Sequence, residues 1–447
     1  MEHREALDEA QPPSYDAEVT PDFESVPEYF EAQQSSHPST PAIANHLQEF
    51  EYKLDKNGKT FATLTLIANK LFSDKVPTFV EGAPIKGMIH LNLDNEKPEH
   101  VSSLSIRVEG QLITGGSQFW GYTYTFLDVT QEIWTRSHDE SGLTQGQCTW
   151  PISINLPEKV SMQTGTDKHP EMFRLPQTFN ERNIHSTVRY ELSMKITRSG
   201  LLRSNDILST PFAFIPVTRP DPFPPLKRLA YDEGTPLLPP KVDPEGWFPL
   251  RTVLVEGKTP NNNTAKIECR LYLSRPLSYT RGSVVPLFMT LESDNQQALD
   301  LLSSPNAPNV RVRRRTKYHS EPKKKIESKA WRDEVDHSQR AVWWPTTESS
   351  DRIRMIAGEL HLKPNMAPTL AMGDFRINYS VVFLKFKSPG FLHKEENPLL
   401  SEEPITIVTA YAPGPRPRMF TTPDYTPDEE AESEDLQSAV EFSKGFY

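Results

Sequence analysis

Apolar and polar residues alternate with a period of two along much of this chain. In 186–198, Val188, Tyr190, Leu192, Met194 and Ile196 interleave with Arg189, Glu191, Ser193, Lys195 and Thr197. That is the pattern of a strand with one buried face, whereas a helix would scatter the same positions around its circumference. Similar runs occupy 85–93 (Ile85, Ile89, Leu91, Leu93), 104–113, 265–273 (Ile267, Cys269, Leu271, Leu273) and 375–386. Clusters of Gly, Pro, Asn and Asp punctuate them. Short alternating strands without sustained helical periodicity predict an all-β protein, built as sandwiches of two antiparallel sheets.

The alternation stops in 219–247, where repeated prolines cannot donate to a strand ladder, so this stretch reads as a semi-rigid connector. It divides the chain into two expected β domains, 52–218 and 248–410. At this size each buries about 70% of its unfolded surface. Residues 1–51 and 411–447 are rich in Pro, Ser, Gln and acids and poor in aliphatics. Such segments bury too little apolar surface to offset their ordering entropy, and both are expected to be disordered acidic arms.

Charge sharpens this division. The net charge of the 447 residues is −11. Residues 1–31 hold ten acids against one Arg, and 411–447 hold eight acids against three basic residues. The body between the arms is therefore slightly positive, and its positive charge gathers in 311–325, where eight basic residues stand against one Glu. This run reads as part of a basic insert, 303–330, in the second domain. A single local patch argues against a general nucleic-acid binder, which is usually basic over a whole face. The chain opens on charged residues and has no apolar run long enough to span a bilayer. Two distant cysteines, Cys148 and Cys269, suit a reducing compartment, and the Asn262–Thr264 sequon is expected to stay unmodified. A cytoplasmic protein is the expectation.

Catalytic patterns fail. Asn57–Thr60 and Glu256–Thr259 imitate the end of a phosphate loop, but Lys53 and Thr252 stand where its first glycine belongs. Nucleophile-elbow, dinucleotide and zinc patterns are missing, and the histidines have no metal-ligand spacing. No catalytic residue, metal or cofactor is assigned. A carbohydrate-active β-sandwich would require a concave pocket of paired carboxylates.

Several phrases carry a family resemblance: 79–93, opening a strand between Gly82 and Gly87; 175–198, a Leu-Pro turn leading into a long strand; 266–287, opening the second domain; and the Pro-Pro-x-Tyr of 12–15. In this order they resemble the fungal arrestin-related trafficking adaptors. The resemblance covers about 52–410 plus the motif in the arm, and implies two tandem arrestin-like sandwiches. It further implies an adaptor, peripheral at plasma membrane or endosomes, that recruits a HECT-type ubiquitin ligase with WW domains to cytoplasmic segments of transporters or receptors. The cargo is then ubiquitylated and internalised. The alternative is a retromer-like sorting scaffold that binds coat components without a ligase. A central polar core of buried charges, as in visual arrestins, is not discernible.

Pro12, Pro13 and Tyr15 are the candidate WW ligand. Adjacent prolines preset a polyproline II conformation and lose little entropy on docking to an aromatic groove. Tyr15 lies one full turn beyond Pro12, on the same face. Pro27 with Tyr29 and Pro423 with Tyr425 keep only the second proline and the tyrosine, and are weaker candidates. Tyr15 and Tyr29, 14 residues apart, are separated by roughly 20 Å in a flexible chain, so a multi-WW ligase gains avidity. The basic candidates are Arg311, Arg313, Arg314, Arg315, Lys317, Lys323, Lys324 and Lys325. They read either as contacts for an anionic membrane or acidic partner, or as a solvated edge whose lysines discourage sheet pairing, with a nuclear-import signal third.

Overall fold

The computed structural model describes residues 47–422, apart from 71–72, 74, 95–97, 115–121, 138–142, 144–145, 165–168, 183, 201–203, 320–330, 337–338 and 348. Pro12, Pro13, Tyr15, Pro27, Tyr29, Lys323, Lys324, Lys325, Pro423 and Tyr425 lie outside the described residues.

Eleven strands precede the connector: β1 (Leu47–Lys56), β2 (Lys59–Asn69), β3 (Thr78–Val80), β4 (Ile85–Asn92), β5 (Val101–Thr114), β6 (Tyr122–Thr135), β7 (Gln147–Ile154), β8 (Lys159–Thr164), β9 (His169–Arg174), β10 (Ser186–Arg198) and β11 (Asp206–Ile215). They form a four-stranded sheet, β1-β2-β4-β7, a five-stranded sheet, β3-β11-β10-β5-β6, and the β8-β9 hairpin. The alternation in β10 does what its sequence demands, sending Val188, Tyr190, Leu192, Met194 and Ile196 into the core at 0–1% exposure. Each such side chain contributes roughly 1.5–3 kcal/mol against the entropy of ordering the strand.

Thirteen strands follow: β12 (Trp247–Pro249), β13 (Val253–Lys258), β14 (Thr264–Ser274), β15 (Ser278–Thr280), β16 (Val284–Glu292), β17 (Asn309–His319), β18 (Trp331–Asp336), β19 (Val342–Pro345), β20 (Ile353–His361), β21 (Leu370–Met372), β22 (Phe375–Leu384), β23 (Leu392–His393) and β24 (Leu399–Val408). The order β15-β24-β22-β17-β18 repeats β3-β11-β10-β5-β6, and β13-β14-β16 repeats β1-β2-β4. In both sandwiches a short strand crosses sheets to pair in parallel with the last long strand, β3 with β11 and β15 with β24. Each crossing then turns through a glycine in the left-handed region, Gly82 at φ 83° and Gly282 at φ 76°. Tyr190 on β10 and Tyr379 on β22 occupy equivalent strands, and their buried hydroxyls donate to the carbonyls of Pro176 (2.6 Å) and Ala367 (2.7 Å). The all-β architecture expected from the sequence is thus one topology used twice.

Five features differ from expectation. The first strand starts at Leu47, because the inward alternation of Phe50, Tyr52 and Leu54 begins before residue 52. The connector contains a helix, α1 (Pro225–Glu233), entered through Pro225 in its first turn and closed by Gly234 at φ 67°. A second helix, α2 (Gln296–Ser303), is capped by Asn295, whose side chain accepts from the Ala298 N–H at 3.0 Å. Residues 309–319 are not an insert: β17 lies inside its sheet between β22 and β18, in the place β5 holds in the first sandwich. Residues 411–422, expected in the acidic tail, continue along the second sandwich, where Phe420 meets Trp344 with ring centroids 6.2 Å apart.

Candidate functional site

β17 serves two surfaces, because successive side chains leave a strand on opposite sides. Val312, Thr316 and Tyr318 face the core. Arg314 shares their side but stands where the second sandwich meets the first, and there it bonds Glu181, in the β9–β10 connection. The Arg314 guanidinium lies 6.0 Å from the Phe179 ring centre, and Phe179 in turn packs against Phe375 at 5.2 Å. Burial is the largest single influence and works against the Arg314 charge, but the Glu181 bond together with the attraction of Tyr379, Glu181 and Asp336 outweighs it and holds the guanidinium above its ordinary range. Burial likewise raises the Tyr379 hydroxyl, against the pull of Arg314.

Other groups close the same seam. Arg281 donates to Gln177 Oε1 (3.1 Å) and to the Met366 carbonyl (3.3 Å). Thr218 and Thr409 exchange backbone-to-hydroxyl bonds of 2.9 and 3.1 Å. The seam therefore holds a half-buried group of charges at Arg314, Glu181 and Arg281, which sequence reading missed because its members lie far apart along the chain. Arg314 is consequently no part of an exposed patch.

The remaining basic residues of β17 point the other way. Arg311, Arg313, Arg315 and Lys317 are spaced by two and share the outer face, with Arg376 of β22 directly opposite Lys317. Arg313 bridges Glu402 at 2.7 Å, Arg315 takes Asp333 through two bonds of 2.7 and 2.9 Å from Nε, and Lys317 Nζ is 4.0 Å from Asp333. The Arg315 bond is the main cause that pulls the Asp333 carboxyl below its usual range. Among the described contacts, three of these five cations meet two carboxylates, Glu402 and Asp333, and the five line one sheet face. Sequence reading found four of these cations and missed Arg376, whose strand lies elsewhere in the chain.

Comparison with known proteins finds no matching family model and no matching curated protein. The function must be argued from the molecule itself.

An open hollow of about 470 Å³ lies on the outer face of β1, β2 and β4, lined by Glu49, Glu51, Lys53, Thr63 and His90 among others. Both carboxylates belong to β1, with Glu51 bridged to Lys53 at 3.2 Å, so this pair does not face across the hollow as acid and base. Among the described residues no three His, Cys, Asp or Glu converge on a metal position, and no helix is long and apolar enough to cross a membrane.

Proposed function

We propose that this chain is an arrestin-related adaptor that recruits a WW-domain ubiquitin ligase of the HECT type to membrane-protein cargo. The observation that carries the reading is the repeated topology: two sandwiches with one strand order, joined by a charged seam, and preceded by the Pro12-Pro13-Ser14-Tyr15 ligand. A scaffold of this kind acts by holding other proteins, and a short polyproline ligand outside it suits the capture of an enzyme. Pulldown of WW domains by the full chain is the test. Binding is expected to fall on Tyr15→Ala and to vanish when Tyr29→Ala is added; unchanged capture by the double variant defeats the reading.

The outer face of β17 and β22 is assigned to the anionic inner surface of the membrane that bears the cargo. Each cation near such a surface contributes on the order of 1 kcal/mol, screened by salt. Co-sedimentation with vesicles containing phosphatidylserine should weaken on Lys317→Glu with Arg376→Glu, and equal binding by this variant rules the assignment out.

A further inference from the structure

Glu359 is an odd residue for its place. It sits on β20 at 1% exposure, on the outer face of the sheet ordered β19-β20-β16-β14-β13-β23. Its cross-strand neighbours are apolar, Val342 of β19 on one side and Pro286 of β16 on the other. A carboxylate buried in such surroundings is costly unless donors converge on it. Within its own strand only His361 does so, with Nε2 at 3.0 Å. The other donors come from outside the sheet, all from one segment: the N–H of Phe420 (3.1 and 3.2 Å to the two oxygens), the N–H of Thr421 (2.7 Å) and the Thr421 hydroxyl (2.5 Å).

We propose that this face of β20 is a docking groove for an extended segment with an aromatic residue followed by threonine, and that residues 418–421 of this chain occupy it as a detachable strap. The groove reads two features. Trp344 receives the ring of Phe420, and Glu359 takes the paired N–H and O–H of Thr421, as an acceptor-only group does. Arg418 adds a bond to the carbonyl of Gly234, so the strap also ties the end of α1 to the second sandwich.

The fastening is local. Residues 411–422 form no strand, and Phe420 remains 42% exposed, so ring burial alone holds the segment weakly. Upstream, Pro413, Gly414, Pro415 and Pro417 make a tether with few ladder donors. The Glu359 bonds are therefore the main hold. This inference does not depend on the adaptor reading.

The test uses the full chain and trypsin, which cuts after Arg418. Glu359→Gln replaces one acceptor oxygen by a donor amide, and Thr421→Val removes the hydroxyl from a surface segment without touching the core. Each should speed cleavage at Arg418–Met419 by about tenfold or more, the loss expected for a bond to a charged group. Deuterium exchange in β16 should be unchanged, which separates strap release from unfolding. A peptide of residues 419–423, which lacks the scissile bond, added to the wild type should also speed cleavage by competing for the groove, and its Thr421→Val form should not. Equal cleavage in the wild type and Thr421→Val overturns the proposal, as does a peptide without effect.

Discussion

Replacing Lys227 by Met should tighten the docking of the connector near neutral pH and cancel a pH dependence. Lys227 lies on α1 at 4% exposure, and its ammonium donates to the Arg275 carbonyl at 2.6 Å. It lies 4.8 Å from the ring centre of Phe223 and 5.6 Å from that of Tyr231. Burial lowers its pKa to about 7, while Asp243 pulls weakly the other way. Because the folded value lies below the unfolded one, the proton favours the undocked state: stability rises with pH between about 7 and 10.5, and below 7 the cost is constant. That cost is about 5 kcal/mol at full protonation. Methionine removes it but orphans the Arg275 carbonyl, for about 1–3 kcal/mol, and forfeits about 1 kcal/mol of ring attraction. The net gain at pH 6.5 is about 1–3 kcal/mol. Raising the pH to 8.5 relieves the wild type of about 2 kcal/mol, so the advantage should shrink roughly 30-fold. The assay is deuterium exchange of α1 amides in both proteins, where intrinsic exchange at each pH cancels in the ratio. A ratio independent of pH refutes the reasoning, since Lys227 would then carry its charge equally when docked and undocked.

A double-mutant cycle of Arg314→Ala and Glu181→Ala, read by urea denaturation, should return a coupling of about 1–2 kcal/mol, because the pair is only partly screened by solvent. Gly87→Ala should lower thermal stability by about 1–3 kcal/mol, since a Cβ there would stand 2.2 Å from the Thr65 carbonyl oxygen. Tyr190→Phe, measured by the same melt, should cost about 1–2 kcal/mol by leaving the Pro176 carbonyl without its donor.

The strands were legible wherever one face is wholly apolar, as in β10 and β14. β17 escaped because two of its inward positions, Arg314 and Thr316, are polar: one serves the seam and the other is buried at 1% exposure. Without an apolar rhythm the run looked like a charged loop. α1 was hidden differently, since Pro224 and Pro225 fall at its cap and first position, where a helix tolerates them, and its pattern is inverted. Lys227 is buried while Leu226 and Leu229 are exposed. The strap gave no periodic signal at all, because its hold is a single acidic residue on a distant strand.

The repeated topology supplies an internal control for the basic stripe. β5 and β17 hold the same place in their sheets, as do β10 and β22, so whatever charge the fold itself needs on the outer face should be similar in both. It is not. In the first sandwich Arg107 of β5 is bound by Asp128 at 2.7 and 2.8 Å and by Glu109 at 3.0 Å, and Glu109 stands opposite Glu191. Carboxylates there match or outnumber the cations, and the strand is no less well formed. The row of cations at Arg311, Arg313, Arg315, Lys317 and Arg376 is therefore not a requirement of the sheet. Clustered like charges on neighbouring strands repel, at a cost comparable to that of mispaired cross-strand residues. A fold that builds the same scaffold nearly neutral once, and basic the second time, supports the second sandwich, not the first, as the side proposed to meet an anionic surface.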